Sequence, residues 1–260
     1  MAFKLGDIII DRIQYGFAED FDGTPLYALS QLSEATINIA AESKEAKDKD
    51  GTLVKKFWRG KTGTFEAKNA MLNVNVLGSA SGSDPEYASS DKAIAMPKII
   101  TVNAESSVKL ADYISGTVTV SAYGANGNMG KVYTLGDEAS ETTFAITDDG
   151  TLTPPTDGNE VRYIVKYNRD VKEGLAVYNK ADKFPNTVKL TLKALCVDPC
   201  ETDTLRACYI VLPSFQVSPE ISLSLQTDAQ IDYKGDLQVD YCSLNKTMYE
   251  FYFAADDEEE

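Results

Sequence analysis

The sequence predicts a mostly β fold: an antiparallel β-sandwich or barrel with one short helix and a long charged hairpin loop. Three observations lead there. Many short runs alternate apolar and polar side chains, the period of a half-buried strand. Gly, Asp-Gly, Asn-Gly and Pro signals separate those runs at close, regular spacing, as in sandwiches and barrels. A length of 260 residues with 43% hydrophobic content allows a substantial core without staples. The expected organisation is one domain over residues 1–255, with a β-rich insertion at about 97–159 and a disordered acidic tail at 256–260.

Asp7–Tyr15, DIIIDRIQY, is the first strand candidate. Asp22-Gly23 and Thr24-Pro25 then mark a loop, in an irregular arm suited to packing on its own domain or on a neighbouring subunit. In Leu32–Ala40, Ala35, Ile37 and Ile39 share one strand face and Thr36, Asn38 and Ala40 the other. Ser43–Gly51 carries both signs of charge and reads as a solvated hairpin loop, or as a loop in ordered contact with another copy. Phe57 and Trp58, the only tryptophan, follow beside Lys55, Lys56 and Arg59; Trp58 is either an interface anchor or a core residue at the foot of the loop. Thr62–Ala67 returns the hairpin. Asn69 is placed to cap a short helix in which Leu72 stacks on Val76, or Val74 on Leu77. Ser79–Ser90 is loop chemistry.

From Ala93 the pattern is fully β. Strands are expected at Ile94–Val102, Thr117–Ala122, Lys131–Leu135, Thr142–Ile146, Thr151–Leu152 and Glu160–Tyr167, with turns at Asn126-Gly127 and Asp149-Gly150. Val171–Phe184 reads as loop with strand fragments. Thr187–Leu195 alternates cleanly and turns through the acidic Cys196–Thr204 into Leu205–Leu212, which Pro213 is expected to end. Glu220–Gln226, Leu237–Tyr241 and Met248–Phe253 complete the sheet, with a turn at Lys234-Gly235. No sequence repeat is found.

The net charge is -15, with 40 carboxylates against 25 Lys and Arg. That balance argues against a nucleic-acid grip and against an anionic membrane surface. It suits solubility, or a surface that repels nucleic acid. No signal peptide and no membrane-spanning run is read in the sequence. Cys196, Cys200, Cys208 and Cys242 fit no zinc spacing, and histidine is absent. They read as reduced, buried thiols of a cytosolic chain, with a Cys196–Cys200 or Cys200–Cys208 bridge as the alternative. Asn245-Lys246-Thr247 is a glycosylation sequon by letter only. Without His there is no Ser-His-Asp or Cys-His arrangement. No phosphate loop or dinucleotide fingerprint occurs. Asp48–Gly51, DKDG, fails as a calcium loop because Ala46 and Phe57 fall on ligand positions. Pairs such as Asp20 with Asp22, or Asp148 with Asp149, sit in turns where Asp serves the backbone. The sequence calls for no cofactor and no catalytic site.

The stretch Ser30–Leu77 resembles the tail tube proteins of long-tailed bacteriophages: a strand, a charged loop bearing DKDG, a returning KTGTFEA strand and then NAMLNVNVL. LPSFQVSPEISLSLQTDAQIDY and the short strand after it are similar more loosely. The resemblance implies a non-enzymatic virion protein, made in the host cytoplasm and resident in the tail. Its copies would close into hexameric rings by joining sheets edge to edge, and the rings would stack as the long loop of one reaches the next. Sheath or baseplate proteins would be further partners, and DNA would pass transiently through an acidic bore without adhering. The inter-subunit contact is expected at Lys47, Asp48, Asp50, Phe57, Trp58 and Arg59. A capsid-decoration or baseplate binding protein with an immunoglobulin-like block is the alternative, and an enzyme with a carboxylate pair ranks last.

Overall fold

The structure, a computed structural model, describes residues 7–30, 32–70, 73–124, 126–158, 162–199, 201–220, 222, 231–239 and 246–258. The chain forms two compact units: residues 1–85 with 177–260, and residues 86–176.

The first unit begins with strands β1 (Ile9–Glu19) and β2 (Pro25–Leu29), then β3 (Leu32–Lys47), β4 (Leu53–Asn69) and helix α1 (Val74–Ala80). In place of an irregular arm, β1 and β2 are a hairpin on the sheet, and Ala18 and Leu29 are core residues. The helix is capped by Asn73, whose side chain accepts from the amides of Asn75 and Val76. Asn69 is not the cap, because it still pairs in the sheet with Leu32 and Ile231. Leu72 lies outside the described residues.

The second unit holds β5 (Glu86–Tyr87), β6 (Ile94–Asn103), β7 (Val108–Lys109), β8 (Thr119–Tyr123), β9 (Met129–Leu135), β10 (Thr143–Ile146), β11 (Thr151–Thr153), β12 (Arg162–Val171) and β13 (Leu175–Ala176). Seven of these strands form a sheet in the order β6-β12-β8-β9-β10-β11-β7, and β5 pairs with β13. The pairing is antiparallel except for β9 with β10. Inward positions set by strand alternation supply its core, including Val120, Tyr133, Phe144, Leu152, Tyr163 and Val165.

The chain returns to the first unit with β14 (Thr187–Asp198), β15 (Glu201–Val217), β16 (Ile231–Leu237) and β17 (Glu250–Glu258). The eight-stranded sheet runs β2-β1-β14-β15-β16-β4-β3, with β17 on β15. β14 is buried at every second residue, Val188, Leu190, Leu192, Ala194 and Cys196, as its alternation predicts. Tyr27, Phe65, Phe215 and Tyr233 fill the middle edge to face, and the Tyr27 and Tyr233 hydroxyls bond at 2.8 Å. The sheet is a nearly closed barrel. β1 and β3 flank a cavity of about 510 Å³ floored by Phe65, Leu192 and Ile210, and no β1–β3 pairing occurs among the described residues.

Three stretches expected to turn or break prove to be strand: the expected turn over Cys196–Thr204 is taken up by β14 to Asp198 and by β15 from Glu201, and Pro213 and Lys234-Gly235 also lie within strands. β15 continues through Pro213, because Pro213 and Ser214 bulge where Val188 and Leu190 face Phe215 and Leu212. Lys234 and Gly235 pair with Glu66 and Phe65 inside β16. A Cβ on Gly235 would stand 2.2 Å from the Gln216 carbonyl oxygen, so glycine is there for close packing. β17 takes in Asp256, Asp257 and Glu258 of the acidic terminus. Cys196 and Cys208 are buried free thiols, and the Cys196 thiol donates to the Arg206 carbonyl. Cys200, Cys242, Asn245 and most of the Glu220–Gln226 strand lie outside the described residues.

Candidate assembly surface on the projecting hairpin

The charged stretch predicted as a loop over 43–51 is a two-stranded ribbon. β3 runs to Lys47 and β4 starts at Leu53, which leaves only the tip between them. Every residue from Asn38 to Thr62 is exposed. The alternation of Leu32–Ala40 stops where the sheet's core stops, and beyond it neither ribbon face has anything to bury. From the Ala40–Thr62 pair to the Lys47–Leu53 pair the ribbon extends roughly 23 Å, at about 3.3 Å per residue. β16 pairs with β4 only from Gly63 to Asn69. Both ribbon edges are therefore unpaired among the described residues.

The tip is set by its own sequence. The Asp48 carboxylate accepts from the amides of Asp50 and Thr52, at 2.9 and 2.8 Å. The Gly51 amide donates to the Asp48 carbonyl, and Gly51 adopts φ 84°. The same five-residue turn recurs at DFDGT, 20–24, with Gly23 at φ 85°, and at TDDGT, 147–151, with Gly150 at φ 83°. Sequence comparison at the scale of domains misses so short a motif, although the shared DGT was visible in the letters. In the turns at 20–24 and 48–52 the first Asp serves the backbone.

Bulges interrupt the ribbon at Arg59-Gly60, opposite Glu42, and at Val54. Between them, neighbouring residues point to opposite faces. Trp58 and Lys56 share one face, with the Lys56 ammonium 4.8 Å from the Trp58 ring centroid. Phe57 and Lys55 share the other, at 5.2 Å. Phe57 is 49% and Trp58 65% exposed, so Trp58 is not a core residue at the foot of the hairpin. Each exposed cation–ring pair contributes about 0.5–1 kcal/mol and restrains a large ring in water. Lys47 lies 3.5 Å from Glu45 at the end of β3, a pair of little energetic weight in the open. The structure thus places Lys47, Asp48, Asp50, Phe57, Trp58 and Arg59 on one projecting element.

Charge is sorted onto that element. From Ala41 to Lys61 there are seven cations, Lys44, Lys47, Lys49, Lys55, Lys56, Arg59 and Lys61, against four carboxylates, Glu42, Glu45, Asp48 and Asp50. The ribbon is therefore +3, whereas the rest of the chain carries -18 within the total of -15. Counting both signs as merely "charged" hides this asymmetry. A basic, aromatic ribbon with free edges has the chemistry of a protein-binding arm: main-chain groups to pair, rings to bury, and cations to meet an acidic surface.

Residues 7–248 match the YomU/Tube protein family. Comparison with curated proteins finds no match.

Proposed function

The chain belongs to the YomU/Tube protein family, and from that premise we propose that it is a structural subunit of a phage tail tube, which assembles with itself into rings that stack. The projecting ribbon is the observation that carries this. A monomer gains nothing from holding two unpaired strand edges, Phe57 and Trp58 in water, whereas a neighbouring copy would cover all of them. The open seam between β1 and β3 supplies further unpaired edge for lateral joining. The contact residues are Lys47, Asp48, Asp50, Phe57, Trp58 and Arg59. The rings are hexameric on this reading, and carboxylates of the -18 body line a bore through which DNA slides without being held. Residues 86–176, with a core of their own, are an insertion carried on the tube subunit.

Negative-stain microscopy of the purified protein tests the assembly. Rings or open-ended tubes are expected. Replacement of Ser43–Trp58 by an Asn-Gly turn should leave a folded subunit that no longer stacks. A wild-type chain that stays monomeric at high concentration would favour the capsid-decoration or baseplate reading instead. The bore is tested separately: reversing wall carboxylates to lysine should slow genome delivery, and unchanged infectivity would count against an acidic lumen.

A further inference from the structure

Four Asp-Gly steps occur in the chain, at 22–23, 50–51, 149–150 and 157–158. Each has the atoms for a rearrangement. The glycine nitrogen attacks the aspartate Cγ and bonds to it, and water leaves from the carboxyl and the amide. Water then opens the succinimide at the α-carbonyl, so that the chain runs on through the β-carbonyl as isoaspartate. The atoms balance, and no reagent but water is needed. Glycine is the favourable neighbour because no side chain crowds its nitrogen and its backbone turns freely. The reaction needs a carboxyl group free to rotate, space around the glycine, and a turn that opens.

The fold distributes those conditions unequally. In the turns at 20–24 and 48–52 the first Asp takes the backbone amides. The Asp22 and Asp50 carboxylates have no hydrogen-bond or ion-pair partner among the described residues. Gly23 and Gly51 stand in open space, with nothing within 4 Å of where a Cβ would lie. In the turn at 147–151, Thr147 stands in place of that first Asp. Its hydroxyl donates to the Asp149 carboxylate at 2.5 Å, and the Thr151 hydroxyl and amide donate to it at 3.0 and 3.3 Å. These bonds hold the Asp149 carboxyl below its usual value and away from the neutral form that reacts. Gly150 is also enclosed. A Cβ there would meet the Leu110 carbonyl oxygen and the Tyr113 ring at 3.1 Å, and the Gly150 carbonyl accepts from the Leu110 amide at 2.9 Å. Asp157 accepts from the Tyr133 hydroxyl at 3.2 Å and lies 3.6 Å from the Lys131 ammonium, its side chain 17% exposed. Asp22 and Asp50 differ in what lies beneath them. The Asp22 turn closes β1 on β2, which carry the core residues Ala18 and Leu29. The Asp50 turn closes a ribbon that is exposed from Asn38 to Thr62 and opens without the barrel.

We propose that Asp50 is a site of spontaneous isoaspartate formation, ahead of Asp22 and well ahead of Asp149 and Asp157. The product keeps the net charge, adds a backbone methylene at the ribbon tip, and presents a new α-carboxylate to an isoaspartyl carboxyl methyltransferase. The proposal does not rest on the tube reading.

Ageing of dilute, unassembled protein at mildly acid pH, where more of each carboxyl is neutral, tests it. Isoaspartate is placed by peptide mapping and counted by enzymatic methylation with a labelled methyl donor. Asp50 is expected to convert about tenfold or more faster than Asp149, where several hydrogen bonds to one carboxylate must break first. In urea all four steps are expected to convert at similar rates, because the fold alone sets them apart. Thr147→Val with Thr151→Val should release Asp149 and raise its rate. Asp50→Glu should remove the signal at the ribbon tip, since the larger ring closes far less readily. Isoaspartate at Asp149 or Asp157 as fast as at Asp50, Asp22 ahead of Asp50, or an Asp50 that stays unchanged in the fold while it converts in urea would overturn the proposal.

Discussion

At the scale of single residues, the barrel is decided by a few contacts that composition does not announce. Gly235 and Gly23 are both glycines beside polar residues, yet they answer different needs. Gly23 sits at φ 85° with open space around it, and Gly235 lies where the β15 backbone passes. Gly23→Ala should cost about 1 kcal/mol from backbone strain. Gly235→Ala forces a carbonyl to move and should cost about 3 kcal/mol or more, a difference that urea unfolding of the two variants will resolve. Buried acids give a second prediction. Burial pushes Tyr233 well above its ordinary 10.0 and also raises Tyr27, while burial and then the adjacent Cys196 push Cys208 from 9.0 to about 12. These groups stay protonated in the fold and ionise earlier in the unfolded chain. The unfolded state then binds fewer protons, so stability is fully present below pH about 9 and falls as pH rises, by up to about 1.4 kcal/mol per pH unit for each group. The fall begins with Cys208 and steepens with the tyrosines above about pH 10. Denaturation midpoints across pH 8 to 11 (~) should show this, and Cys208→Ala should weaken the first part of the decline.

At the scale of elements, the same five-residue turn serves two settings, which makes it a test of context. The Asp20 turn closes β1 on β2 inside the barrel, and the Asp48 turn closes a ribbon with no core beneath it. Asp20→Ala should lower global stability by about 0.5–1.5 kcal/mol through lost backbone bonds. Asp48→Ala should leave global unfolding unchanged and only hasten amide exchange near Thr52, because the ribbon opens without the barrel. Most strands were legible from alternation, since each has one face on a core: β14, with Val188 to Cys196 inward, is the clearest. Alternation predicts a loop where the ribbon stands because it reports burial and not strand geometry, and nothing from Asn38 to Thr62 is buried. Pro213 and Gly235 lie inside strands because their usual role as breakers is overridden by a bulge and by a close strand approach. The proposed contact residues stand out in the letters as a cluster of rings and charges, whereas the +3 asymmetry needs the two signs counted separately. The family was legible in the order of strand, DKDG hairpin, strand and helix across Ser30–Leu77, because that order lies within one continuous segment.

At the scale of the whole molecule, the sorting of charge would make the proposed assembly depend on salt in two opposing ways. Bodies carrying -18 repel over distances comparable with the Debye length, about 30 Å at 0.01 M and 10 Å at 0.1 M. In the proposed contact the ribbon's +3 would act where pairs are only a few ångströms apart and screening is weaker. Raising salt from about 0.01 to 0.1 M should therefore remove repulsion first and speed polymerisation. Raising it further to about 1 M, where the Debye length is about 3 Å, should weaken the contact pairs and slow it again. Light scattering against ionic strength is expected to give a maximum between these limits. A ribbon with Lys55, Lys56 and Lys61 changed to Gln has lost the attraction and kept the repulsion. Its polymerisation, slower throughout, should rise with salt and show no falling limb. A variant that keeps the wild-type maximum would show that the ribbon's cations take no part in assembly, and that the sorting of charge along this chain serves solubility alone.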